Sequence, residues 1–172
     1  MSDDMPLEAR IQRLETLVTE QGDRLEILNL MAAYGPAIDA CSEADNARLW
    51  TEDCVYEVGG LGSYHGHAGL KEMIEGPFHQ QVTASGSAHD MGLPFITLKG
   101  DQAVATSYAK LLRQTDGRFE LVRLVVSRWL LRKEGGVWKV AHRTNHLLNG
   151  SAESRALQSG AFHFPELAGA SD

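Results

Sequence analysis

Leu7, Ile11, Leu14, Val18, Gln21, Leu25 and Leu28 follow one another at alternating spacings of four and three. That is the a/d stripe of a heptad helix with one polar interruption, at Gln21. Two uses of the stripe stay open: a helix lying on its own domain, or a helix that helps pair subunits. Gly22-Asp23 interrupts the run, so the pattern predicts two helices, roughly Pro6 to Gln21 and Arg24 to about Ala40. Gly35-Pro36 falls inside the second. An interior proline removes a backbone hydrogen bond and collides with the carbonyl four residues back, so a kink is expected there. A third helix is expected from Ala44 to about Thr51, then a short strand Cys54 to Val58, a Gly-rich turn Gly59 to Gly66 and a helix Ala68 to Ile74.

The period then changes. Met91 to Leu98, Gln102 to Arg113, Phe119 to Lys133 and Val137 to Leu148 read as strands, separated by Lys99-Gly100-Asp101, Thr115-Asp116-Gly117 and Glu134-Gly135-Gly136. These separators carry hairpin-turn chemistry. Helices followed by a meander of strands imply an α+β fold with one curved antiparallel sheet, helices on its concave side, enclosing a pocket. After Gly150 comes a short helical stretch, Ala152 to Gln158, and then AFHFPELAGASD, a lid, a subunit contact or a fraying end. No internal repeat or composition shift marks a boundary. Residues 1–172 therefore read as one domain, with 1–22 a helical extension and 150–172 a tail.

Composition narrows the function. The chain has 172 residues, 43% hydrophobic and 23% charged, with a net charge of −7. That is ordinary for one globular domain with a sizeable core. A phosphate backbone would be repelled, and no basic stripe is visible, so nucleic acid is excluded as a partner. Cys41 and Cys54 do not form a disulfide framework. The start, MSDDMPLEAR, lacks the basic region and apolar run of a signal peptide, and no apolar segment approaches the ~20 residues of a membrane span. A cytoplasmic protein with no membrane partner is the expectation.

The candidate chemistry centres on Asp39 and His89. Asp39 lies in the apolar turn Ala37-Ile38-Asp39-Ala40, and His89 follows Ser85-Gly86-Ser87-Ala88 at the start of a strand. A histidine with an ordinary pKa of ~6.5 suits general-base work at neutral pH, and a carboxylate beside it can orient the ring and stabilise the imidazolium. The bland alternatives are a solvent-facing or capping aspartate and a structural histidine. Tyr34 lies five residues before Asp39, about 140° away on a straight helix, which a kink at Gly35-Pro36 would reduce. Its hydroxyl could donate to a substrate oxygen; a core tyrosine with its hydroxyl at the edge is the competing reading. Tyr56 and Trp50 are the aromatic residues best placed by order to line a pocket mouth. On the last strand, alternation sets Arg143, Asn145 and Leu147 on one face and His142, Thr144 and His146 on the other. Which face is concave stays open. His65 and His67, or His142 and His146, lack a third and fourth ligand, and no HExxH, CxxC, GxGxxG, P-loop or GxSxG pattern occurs. Neither a metal nor a cofactor is expected.

This arrangement resembles the SnoaL-like branch of the nuclear-transport-factor-2-like (NTF2-like) superfamily. The likeness runs from about Leu7 to Leu157 through LEILNLMAAYGPAID, LWTEDCVYEVGGLGSYHG, SAHDMG and RLVVSRWLLRKEGGVWKVAHR. It implies a cone-shaped α+β barrel, three to four helices against a curved sheet, around a deep apolar cavity. The spacing is nearest to the bile acid 7α-dehydratases and the hexachlorocyclohexane dehydrochlorinases. The former's catalytic positions fall at Tyr34, Asp39 and His89, and the latter's Asp–His dyad matches too. In the dehydrochlorinases an aromatic pocket residue falls at Tyr56 and a pocket arginine falls near Asn145. The resemblance therefore implies a cofactor-free lyase, of dehydratase type, or isomerase acting on a hydrophobic polycyclic, steroid-like or terpenoid molecule. It also implies a homotrimer or homodimer. The rival expectations are a non-catalytic carrier of a hydrophobic ligand and a small subunit of a ring-hydroxylating dioxygenase.

Overall fold

The computed structural model describes residues 5–164; parts of the expected N-terminal extension and C-terminal tail lie outside them. The first helix, α1, is one element, Leu7–Asp39, and runs through both Gly22 and Pro36. Gly22 stands exposed with nothing near it, so its cost is the ~1 kcal/mol of an interior glycine, which a long helix absorbs. Pro36 costs one backbone bond, yet the helix continues past it, with the Ala40 N–H donating to the Pro36 carbonyl at 3.0 Å. α2, Glu43–Arg48, is capped by the Ser42 hydroxyl, which accepts from the Asp45 N–H at 3.3 Å. It ends earlier than expected because Trp50 already opens β1, Trp50–Val58.

β2, Gly62–His65, forms a hairpin with β1 inside the segment read as a turn. α3 (Gly66–Glu75) and α4 (Pro77–Thr83) follow, the second unforeseen. The expected strand Met91–Leu98 is two strands, β3 (Ser87–Met91) and β4 (Phe95–Lys99), parted at Gly92-Leu93-Pro94. Proline cannot donate to a ladder, so the break falls beside it. β5 (Gln102–Thr115), β6 (Arg118–Glu134) and β7 (Val137–Leu147) form the meander, and α5 (Ala152–Ser159) closes the described chain with a 3-10 turn.

The sheet order is β2-β1-β7-β6-β5-β3, with β4 also on the β5 edge. It is curved, as expected, but mixed rather than wholly antiparallel, because β1 runs parallel to β7. It does not close into a full barrel: β2 and the β3/β4 pair remain its edges. The core lies in the concavity, where Ile27, Met31, Tyr34 and Ile38 of α1 meet Trp50, Trp129 and Trp138. Each such aliphatic side chain contributes ~1.5–3 kcal/mol by burial. The first half of α1 takes no part, for residues 5–22 are all exposed. That half of the helix therefore does not lie along its own domain. Among the described residues, no helix is long and apolar enough to cross a membrane.

Candidate active site

Asp39 ends α1 and His89 sits in mid-β3, and they meet because the two elements touch. The His89 Nδ1 lies 2.7 Å from one oxygen of Asp39, and the His89 backbone N–H donates to the other at 2.7 Å. The Ser87 hydroxyl donates to Asp39 as well, at 2.5 Å. Burial alone would raise the Asp39 carboxyl; the hydrogen bonds from the His89 ring, Ser87 and the His89 N–H outweigh it and hold the group below its ordinary range. A carboxylate only accepts, so Nδ1 carries a proton and Nε2 keeps the lone pair of the neutral ring. Asp39 stands behind the cavity wall, whereas His89 is part of that wall.

The cavity has a volume of about 400 Å³, within the size range of small-molecule sites. Ile38, Val58, Met73, Met91 and Val125 supply much of its apolar lining. Tyr34 lines it with its ring edge-on to His89, centroids 6.3 Å apart. Burial pushes the Tyr34 hydroxyl upward, and it stays protonated. Tyr56 and Asn145 also line the cavity, joined by an Asn145 amide donation to the Tyr56 hydroxyl at 2.9 Å. The Asn145 carbonyl in turn accepts from the Gly59 N–H at 3.2 Å. Trp50 is placed otherwise. It is fully buried behind Tyr34 and Tyr56, with centroids 6.4 and 5.5 Å away, and takes no part in the wall. As the first residue of β1 it points into the core rather than to a mouth.

The residue that sequence reasoning passed over is Arg143. A bulge in β7 near Ala141 shifts the alternation, so Trp138 and Val140 face inward before it and Arg143 and Asn145 after it. The guanidinium lies 3.9, 4.4 and 4.8 Å from the ring centres of Trp129, Tyr34 and Tyr56. Its Nε donates to the Ser127 hydroxyl at 2.9 Å and Nη2 approaches the Met91 sulfur at 3.7 Å, while Nη1 is buried without a partner among the described residues. A cation held by π faces and one hydroxyl is free to meet negative charge on a ligand. The signal was present in the strand alternation, which grouped Arg143 with Asn145 but could not say which face was concave.

His79 was missed because α4 was. It stacks on His89 at 5.9 Å and its Nδ1 lies 3.0 Å from the Ile74 carbonyl oxygen. Burial pushes its pKa down. The paired histidines of the sequence, His65 with His67 and His142 with His146, lie outside the cavity wall. Among the described residues, no three His, Cys, Asp or Glu side chains gather as a metal site.

A base backed by a carboxylate, a protonated phenol and an uncompensated cation thus share one apolar cavity. Such a set can take a proton from carbon and receive the negative charge that develops.

Residues 19–144 match the SnoaL-like domain. Among solved structures, an NTF2-like protein with a cystatin-like fold from Novosphingobium aromaticivorans is 36% identical, over 91% of this chain and 97% of its own, with a TM-score of 0.76. A chain from the same organism, provisionally named an aromatic ring hydroxylase, is 32% identical over 74% and 90%, with a TM-score of 0.62. A hexachlorocyclohexane dehydrochlorinase from Novosphingobium barchaimii shares the fold at 17% identity, over 76% and 90%, with a TM-score of 0.63. A comparison with curated proteins finds no match.

Proposed function

The chain belongs to the SnoaL-like domain family, and on that footing we propose that it is a cofactor-independent lyase or isomerase. Its substrate is a hydrophobic polycyclic, steroid-like or terpenoid molecule bearing a carbonyl. One observation carries the reading: His89, bonded through Nδ1 to Asp39 at 2.7 Å, forms part of the wall of an apolar cavity. His89 Nε2 takes a proton from the carbon next to the carbonyl, and the electron pair of the broken C–H bond passes toward the carbonyl oxygen. Asp39 holds the ring and offsets the charge of the imidazolium. Arg143, which has no carboxylate partner among the described residues, faces the enolate oxygen. In the dehydratase form the β-hydroxyl then leaves, its departure assisted by Tyr34. The proton taken up by His89 completes the water released, and a C=C bond remains. In the isomerase form that proton returns to a different carbon.

The family likeness adds weight, since one protein sharing the fold is named a dehydrochlorinase, an eliminating enzyme. The cytoplasm is the compartment proposed, in keeping with two free cysteines. A panel of β-hydroxy-carbonyl polycycles tests the reading, with conjugated-enone absorbance reporting elimination and deuterium uptake reporting isomerisation. Turnover of at least one member supports it. Ligand-induced thermal stabilisation across the panel with neither signal would replace it with a carrier role.

A further inference from the structure

The exposed half of α1 is not used by the site. Its apolar stripe stands open to solvent: Leu7 is 69% exposed, Leu14 60%, Val18 71% and Leu25 61%. The face of the same helix that packs on the domain carries Ile27, Met31, Tyr34 and Ile38. At about 100° per residue, the two stripes lie roughly 150° apart. The chain's own domain therefore sits on the opposite side of the helix and cannot cover the stripe. Leu25 and Leu28 carry the stripe into the segment that packs, so it is continuous with a rigid part of the fold. A long exposed apolar stripe marks an interaction surface.

The occupant is fixed by the residues that flank the stripe. With Ile11, Val18 and Leu25 at a positions, Arg10 and Arg24 fall at g, and Glu8 and Glu15 at e. Arg24 is held by the Ile96 carbonyl at 2.8 Å, which leaves Arg10 as the g cation with no side-chain partner among the described residues. In a parallel pair each g residue faces the e residue five positions on in the other strand. Arg10 then meets Glu15 of the partner subunit, twice by symmetry. An antiparallel pair would set arginine against arginine and glutamate against glutamate. Gln21, at a d position, can bond to its own copy only when the strands are in register. Ile and Val at a with Leu at d favour two strands.

We infer that the N-terminal half of α1 is a docking surface for a second copy of this chain, joined as a parallel, in-register, two-stranded coiled coil. Light scattering on the full chain of 18.8 kDa should give the mass of two chains. Leu14→Asp/Val18→Asp should give that of one, with the near-ultraviolet tryptophan signal of the domain unchanged. Arg10→Glu and Glu15→Arg should each weaken self-association by roughly fivefold, and the two together should restore it. A single-chain or three-chain mass for the wild type, a dimer that survives both aspartates, or a double reversal that fails to restore association would overturn the inference.

Discussion

The backbone carbonyl of His89 occupies the space that a β-carbon on residue 35 would fill. Gly35 thus lets β3 lie closer to α1 than any side chain would allow. Asp39 follows one helical turn later, and at this separation its carboxylate reaches both the ring and the backbone N–H of His89. The glycine sets the dyad through its contact with the His89 backbone.

Gly35→Ala must therefore push β3 away from α1. Overpacking of this kind costs ~1–3 kcal/mol, to be read from urea unfolding. Turnover is expected to fall further than in a core substitution of equal cost elsewhere. Wild-type stability in this variant would show that the close approach is not required.

Acid should separate Asp39 from an ordinary surface carboxylate. Its hydrogen bonds overcome the upward effect of burial and hold the group below its usual value in the folded protein. A carboxyl of that kind adds stability that is complete above the unfolded value near 4 and is lost as pH falls through the folded one. The melting temperature of the wild type is thus expected to drop more steeply than that of Asp39→Asn as pH falls below about 4. Parallel curves would contradict this account of the carboxylate.

Arg143 offers a variant in which stability and activity part company. It is buried and makes no ion pair among the described residues, so removing it strands no opposite charge there. Replacement of such a group by an apolar side chain of similar volume is often neutral or stabilising. Arg143→Met is expected to unfold within ~1 kcal/mol of wild type, or later, while kcat falls by about 10²–10³ through loss of oxyanion stabilisation. Unfolding far earlier than wild type would make Arg143 a structural residue.

Tyr34→Phe removes a protonated hydroxyl from the cavity and leaves the ring edge-on to Trp50 and Trp129. Stability is expected to change by less than ~1.5 kcal/mol. Turnover should fall more for substrates with a hydroxyl leaving group than for deuterium exchange at carbon. Equal losses in both assays would remove the leaving-group role.

How much of this could be read from the chain differs by level. Period and turn chemistry gave the α+β class and the three long strands of the meander, because alternation over ten or more residues has no helical rival. They failed where one residue decides. Gly22 looked like a break but is carried inside one helix by its contacts further along. The run from Met91 to Leu98 hid the turn at Gly92-Leu93-Pro94. The strand pairing of β1 with β7 is non-local and leaves no local mark, so the parallel register was invisible. Asp39, His89 and Tyr34 were legible as residue types, and family resemblance placed them, but only the approach at Gly35 explains their meeting. Arg143 stayed hidden behind a bulge, and Trp50 was put at a mouth because order along the chain says nothing of depth.

The central claim is that His89 is the base. Comparing His89→Ala with wild type on the first panel member found to turn over tests it most directly, with circular dichroism confirming that both are folded. The account predicts a fall in kcat/KM of about 10²–10⁴ with the fold retained. A folded His89→Ala protein that keeps wild-type turnover would contradict it.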